Sequence, residues 1–474
     1  MHVVFMNPQG NFDPQDSYLT EHPDFGGQLV YVKELAQAMS RRGHKIDIVT
    51  RRVQDKSWPE FSSDQDSYPG FEENLRILRF SFGGKKFLKK EELWPHIPDL
   101  VDKMLQFYGE NQPDFITSHY ADGGYAAKLA LELAGIPFSF TGHSLGAQKL
   151  DKLVLANNSW SNLNEQFKFS KRIAAERNSM KYAAKIFVST DQERVDQYSH
   201  PLYQKAVDTF NGQKFEVIPP GVNETIFNQR LSSTDTRQAS KLDAIPGLNE
   251  KPAILVSSRL DKKKNIEGLV KAYSESRALR NAASLVLCVR GIDDPKLDIF
   301  SLEKEEKEVL GNIIDTIDSN NMASQVYFLN ISSQLELAAT YRYFAQLGSV
   351  FALTSVYEPF GLAPIEAAAT GLVPIVTKNG GPADIFSNGS GILIDPLCPK
   401  SIANGLMEGL NKHTELSSAA VKHVNKKFSW NKTADGYITA IDKIVSTHIK
   451  SASTQESVLD CEEEIETYLT RRFT

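Results

Sequence analysis

The chain has 474 residues, too many for one ordinary core and suited to two domains. Its 41% hydrophobic and 24% charged residues exclude a disordered chain, and a formal charge of −6 argues against broad, nonspecific nucleic-acid binding. Three scattered cysteines, Cys288, Cys398 and Cys461, give neither a disulfide framework nor a metal-ligand spacing.

The N-terminus runs straight into an apolar strand, so no signal peptide is expected. No stretch approaches the roughly 18 apolar residues of a membrane span. A reducing, cytoplasmic setting is the expectation.

In chain order, short apolar runs alternate with helical patterns. The first half gives VVFMN (3–7), KIDIVT (45–50), LRILRF (75–80), DFITSHY (114–120), PFSFTGH (137–143), KIFVST (185–190) and FEVIPPGV (215–222). After a polar, patternless stretch at 228–252 come AILVSSR (253–259), LVLCVRG (285–291), QVYFLN (325–330), SVFALTS (349–355), PIVT (374–377) and GILIDP (391–396). Strands alternating with helices imply parallel sheets covered on both faces. The expected fold is therefore α/β, with two Rossmann-like doubly wound domains facing across a cleft. IPPGVN (218–223) reads as a stiff hinge and SASTQES after residue 450 as a solvated connector, and the last twenty residues give no functional signal. The expected boundaries are 1–225 with 430–450, then 226–429, with a tail at 451–474.

Between the first strand and its helix stand Gly26 and Gly27, followed by Gln28. Bare backbone at a helix start permits either tight packing or the approach of an anion to the N–H groups. Leu29, Val32, Leu35, Ala36 and Met39 then form one apolar helical face, closed by Gly43. The loop is too long and lacks the spacing of a dinucleotide fingerprint.

GHSLGAQK (142–149) places His143 and Ser144 beyond a strand. It imitates a hydrolase nucleophile motif, but the cations and paired glutamates further along the chain fit hydrolysis badly. In SRLDKKKN (258–265), Arg259 follows a strand and Lys264 precedes a helix, a fork and a point charge suited to a diphosphate. Arg290 is a third cation at a strand end. Glu358 and Glu366, eight apart in YEPFGLAPIEAAATG, are acceptors for sugar hydroxyls, with the helix expected to open near Pro364. KNGGPADIF (378–386) repeats the double-glycine device. The lone D-x-D, DQD at 64–66, sits in a Ser-rich loop and gives a metal–diphosphate site no support.

The E-x7-E segment, the R-x4-K turn and the GGQ loop together resemble retaining glycosyltransferases of the GT-B type. More narrowly, NPQGNFDPQDSYLTEHPDFGGQLVYVKELA, GHSLGAQK and FKFSKRIAAER resemble the sucrose-phosphate synthase family over about residues 1–445. The resemblance implies glucose transfer with retention from a nucleotide sugar to fructose 6-phosphate. UDP-glucose is taken as the donor, with ADP-glucose left open. It also implies a donor site of Arg259, Lys264, Arg290, Glu358, Glu366 and the amides of Gly26, Gly27, Gly361, Leu362 and Ala363. His143 would meet the transferred glucose. Gln28, Lys90, Tyr120, Ser144, Lys149 and Arg172 would form the acceptor site, with Lys149 and Arg172 nearest the sugar phosphate.

Catalysis is assigned to His143, Arg259, Lys264 and Glu358, without a metal or other cofactor. Lys89 competes with Lys90 for the phosphate role. Asp122 is the nearest candidate for a carboxylate nucleophile but lacks a partner, which favours a same-face mechanism. Relative to the plant enzymes the chain lacks long regulatory extensions and a phosphatase-like tail, so a separate sucrose-phosphate phosphatase is an expected partner. The alternatives are a sucrose synthase, another hexosyltransferase, or a sensor without turnover.

Overall fold

The computed structural model describes residues 1–17, 27–155, 159–448 and 459–473. The chain divides into two compact units, Met1–Pro219 with Trp430–Thr474, and Pro220–Ser429.

The first unit is built on β1 (His2–Met6), β2 (Lys45–Arg51), β3 (Gln65–Asp66), β4 (Leu75–Phe80), β5 (Phe115–His119), β6 (Phe138–Thr141), β7 (Lys185–Val188) and β8 (Phe215–Val217). They form one sheet in the order β3-β4-β2-β1-β5-β6-β7-β8. Every neighbouring pair is parallel except β3 with β4. Along β1, Val3 and Phe5 enter one hydrophobic cluster while Val4 and Met6 enter another, so the strand is continuously apolar because both faces are covered.

The helix Gly27–Ser40 buries Leu29, Val32, Leu35, Ala36 and Met39, the stripe its spacing predicts. The helix Trp430–Thr447 returns to this unit and packs beside it. The Tyr31 hydroxyl lies 2.8 Å from that of Tyr437, and the Tyr31 and Trp430 rings meet edge-on.

The second unit carries β9 (Ala253–Ser257), β10 (Ser284–Cys288), β11 (Val326–Leu329), β12 (Val350–Leu353), β13 (Val373–Thr377) and β14 (Ile392–Ile394). All are parallel, in the order β11-β10-β9-β12-β13-β14. Both sheets have the doubly wound order, with a switch point between β1 and β5 in one and between β9 and β12 in the other.

Several expectations are corrected. DQD is no loop: Gln65 and Asp66 make the edge strand β3, and Asp66 accepts from the buried Arg79 guanidinium at 2.5 Å. The stretch 228–252 contains the helix Ser233–Asp243, capped by Ser232 and Asp235. It is docked by polar contacts that no hydrophobic period announces. Arg342 forks onto Asp235 at 2.5 and 3.2 Å, and the Gln238 amide donates to Thr340 Oγ1.

Residues 220–225 belong with the second unit, not the first, because Val222 bonds to Phe428 and bridges Ser429. The expected connector SASTQES lies outside the described residues, and beyond it the tail is helical. The helix Glu462–Phe473 belongs to the first unit and buries Cys461 and Ile465 in its core.

Behind the aromatic pair Tyr31–Tyr437 lies Glu193, in the first turn of the helix Asp191–Tyr198, accepting from the Ser189 N–H at 2.7 Å. Burial raises its carboxyl to about 7. A carboxyl raised in the folded state keeps its proton after the unfolded chain has lost its own, so stability falls as pH rises from about 4.5 to about 7. Glu193→Gln is expected to remove that loss, which runs at up to about 1.4 kcal/mol per pH unit. Urea unfolding of both forms at pH 5 and pH 8 measures it; an equal pH dependence in the variant refutes the assignment.

Candidate active site

In parallel sheets every strand delivers its carboxyl end to the same edge, so the loops after successive strands collect the chemistry. In the second unit, the loop after β9 carries Arg259 and the short 3-10 turn Lys262–Lys264. Asp261 caps that turn by accepting from the Lys263 N–H, and Asn265, in a left-handed conformation, bonds to the Thr354 and Pro396 carbonyls. The turn thereby faces the loop after the adjacent strand β12. There, Lys264 Nζ donates to Glu358 Oε2 at 2.6 Å, and Ser355 supports the same oxygen at 3.2 Å. The sequence places these two residues in separate motifs, and the structure makes them an ion pair at the switch point. The Arg259 guanidinium is exposed and makes no ion pair among the described residues. Arg290 is exposed just past β10.

Gly361, with φ of +92°, opens the helix Leu362–Thr370 two residues earlier than the expected start near Pro364. The first N–H groups of this helix, from Leu362 and Ala363, have no carbonyl of their own helix to bond. Glu366 is half-buried within it.

The double glycine at 380–381 has a purely structural explanation. Gly381 N–H bonds to the Glu358 carbonyl, and a Cβ on Gly380 would stand 2.0 Å from that same oxygen. Gly27 is the opposite case: a Cβ there meets nothing within 4 Å, so its own helix does not demand the glycine. Gly26 lies outside the described residues.

In the first unit, Gln28 is buried and its amide donates to Asn7 Oδ1, at the end of β1, at 3.3 Å. Beyond β5 and β6, Tyr120 and His143 both hold left-handed backbone, with φ of +62° and +53°, and their rings lie 5.5 Å apart. His143 Nε2 is 2.9 Å from His119 Nδ1, and the two imidazoles stack at 5.1 Å against Tyr31. Burial pushes the His143 imidazole down to about 3, and burial followed by the neighbouring His143 lowers His119 as well. Both rings are neutral at physiological pH and act as hydrogen-bonding groups rather than cations.

Ser144 is exposed, and its carbonyl accepts from Arg172 Nη2 at 2.7 Å. The fully buried Glu176 fixes this arrangement: it accepts from Arg172 Nε at 3.0 Å, from the Gly146 N–H at 2.9 and 3.0 Å, and from the Tyr203 hydroxyl. On the helix Gly146–Leu155, the Lys149 ammonium sits over the Phe167 ring at 4.0 Å.

Lys90 lines a pocket with Pro8, Gln9, Gly10, Arg51, Phe87 and Leu88, whereas Lys89 is exposed and caps the turn Lys90–Glu92. Asp122 is buried, and burial raises its carboxyl to about 6. Its Oδ2 has no hydrogen-bond partner among the described residues.

The structure thus joins Lys264 to Glu358, Ser144 to Arg172 and Tyr120 to His143. His119, Glu176 and Asn7 escaped the sequence reading because each acts through a partner that only the fold brings near. Among the described residues, no group of three or more His, Cys, Asp or Glu side chains is placed to hold a metal ion. No helix of the described residues is long and apolar enough to cross a membrane.

The two glycine sites are expected to respond oppositely. Gly380→Ala combines a φ of +100° with a backbone clash and should destabilise the Glu358 loop by about 2 kcal/mol or more. Gly27→Val should unfold at the wild-type temperature and yet lose transfer activity. Calorimetry and a turnover assay on both variants provide the check.

Residues 239–427 match the family described as Glycosyl transferases group 1, and residues 25–225 match Glycosyltransferase Family 4. A probable sucrose-phosphate synthase from Thermosipho melanesiensis is 44% identical, over 94% of this chain and 97% of the relative. A probable sucrose-phosphate synthase 1 from Citrus unshiu is 32% identical over 93% of the chain, which spans only 47% of that plant protein. Among solved structures, a sucrose-phosphate synthase from Thermosynechococcus elongatus superposes with a TM-score of 0.70 at 21% identity, covering 94% of this chain and all of the other, and shows the shared GT-B fold. On the sequence identity, carried over nearly the whole of both chains by the Thermosipho relative, this chain belongs to the sucrose-phosphate synthase family and is a glycosyltransferase.

Proposed function

We propose that the chain transfers glucose, with retention at the anomeric carbon, from a nucleotide sugar to fructose 6-phosphate, giving sucrose 6-phosphate and a nucleoside diphosphate. The observation that carries this reading is the Lys264–Glu358 pair at the switch point of the second unit. A cation suited to a diphosphate there touches a carboxylate suited to sugar hydroxyls, and a nucleotide sugar presents both chemistries side by side.

On this reading Arg259 and Lys264 hold the diphosphate, with Arg290 and the amides of Gly361, Leu362 and Ala363 beside it. Glu358 accepts from the glucose hydroxyls and Glu366 from the ribose. The cations stabilise charge building on the leaving diphosphate, the term that usually dominates in such transfers. No metal is then needed for that role, and turnover is expected to persist in a chelator.

In the first unit, neutral His143 offers a hydrogen bond to the transferred glucose. Gln28, Tyr120 and Ser144 bind the fructose, while Lys90, Lys149 and Arg172 bind its phosphate. Asp122 is buried and its Oδ2 has no hydrogen-bond partner among the described residues to orient it as a nucleophile, which supports a same-face route in which the departing diphosphate oxygen takes the acceptor proton. A UDP-sugar is the expected donor and a phosphatase the expected consumer of the product.

A matrix of UDP-, ADP- and GDP-glucose against fructose and fructose 6-phosphate tests the reading; equal rates with free fructose would sink it. Lys149→Ala is expected to raise the KM for fructose 6-phosphate by about tenfold or more while leaving donor hydrolysis unchanged. Arg259→Ala should lower kcat by about 100- to 1,000-fold, the range seen when one donor to a developing anion is removed.

A further inference from the structure

The helix Glu462–Phe473 carries no group assigned above to the donor or the acceptor, yet it is tied to the first unit by unusually specific polar contacts. Tyr468 OH donates to the Asp151 carboxylate, at 2.9 Å from both oxygens. His200 completes the same cluster: its Nδ1 accepts from the Leu202 N–H, which leaves the proton on Nε2, 3.2 Å from Asp151 Oδ2. Arg472 lies 3.4 Å from that oxygen. Asp151 itself is buried on the helix Gly146–Leu155, two residues beyond Lys149.

The same C-terminal helix grips two further helices. Trp160 Nε1 and Asn164 Nδ2, both on Trp160–Phe167, donate to Glu466 and Glu462 at 3.2 Å. On Phe169–Tyr182, Arg177 pairs with Glu464 at 3.5 Å, and the Ser170 carbonyl accepts from Cys461 Sγ. These three helices supply Lys149, the Phe167 ring beneath its ammonium, and Arg172.

We propose that the C-terminal helix is a strap that sets the geometry of the acceptor-phosphate cations, and that Tyr468 is a positioning residue acting through Asp151 on Lys149. The proposal rests on the reading of Lys149 and Arg172 as the phosphate-binding pair. A loosened strap lets the two cations drift apart, which weakens binding of a phosphorylated sugar and leaves the second unit's donor chemistry untouched.

The test uses the full chain with Tyr468→Phe, which removes only the hydroxyl, Tyr468→Leu, and Glu463→Ala as an exposed control on the same helix. With a saturating nucleotide sugar, Tyr468→Phe is expected to raise the KM for fructose 6-phosphate about tenfold, equivalent to about 1.4 kcal/mol. The donor KM and kcat should stay within about twofold, and Glu463→Ala should match wild type. An unchanged fructose 6-phosphate KM in both Tyr468 variants overturns the proposal. So does a proportional loss in every kinetic constant, which marks a merely structural contact.

If wild type itself does not use fructose 6-phosphate, the functional reading fails, and substrate-free hydrogen exchange decides the strap separately. Faster exchange in Gly146–Leu155 and Phe169–Tyr182 of Tyr468→Leu supports it; acceleration confined to Glu462–Phe473 refutes it.

Discussion

A parallel sheet covered on both faces has only one place where polar side chains can gather without leaving water-starved backbone behind, and that place is its carboxyl edge. Both units obey this constraint. Val3 to Met6 and Ala253 to Val256 are consumed by packing on alternate faces, so these stretches offer nothing for chemistry. The first free positions lie past the strand ends, and Asn7, His143, Arg259 and Glu358 all occupy them. The candidate site residues therefore gather in the loops and helix starts that follow the strands, whose positions are dictated by buried aliphatic residues.

The loops are held by buried polar groups, not by packing alone. Glu176 is the clearest case, since one carboxylate with no solvent exposure receives a guanidinium, a main-chain N–H and a phenol. Removing any one partner would leave an unsatisfied donor or acceptor in the interior, so the turn at Gly146 and the direction of Arg172 are fixed together. Glu358 and Lys264 do the same for the second unit at a half-buried depth, where water can still enter and a ligand can replace one partner by another.

What could be read in advance follows from these physics. The strands were legible because continuous apolar runs have few other uses, and the glycine, cation and carboxylate motifs stood at strand ends where ligands bind. The helix Ser233–Asp243 was illegible because its buried positions are two polar residues, Asp235 and Gln238, and only one aliphatic, Leu242, too few to show a period. The helix Glu462–Phe473 was missed because Ile465 is its one fully buried aliphatic residue, and much of its attachment runs through Tyr468 and three glutamates. Pairings across the chain, such as His119 with His143, have no local signature at all. The repeated double glycine was misleading in another way: one motif served backbone crowding at Gly380, while the position at Gly27 is open.

Tyr120 and His143 carry a further consequence. Both are bulky residues held in left-handed backbone, a conformation that costs an L-residue roughly 1–2 kcal/mol and a glycine almost nothing. Glycine at either position would relax the turn and remove a ring from the edge of the sheet. The chain forgoes that relaxation twice, in loops following adjacent strands. The two turns therefore behave as preloaded mounts, holding an imidazole and a phenol in directions that an unstrained backbone would not offer.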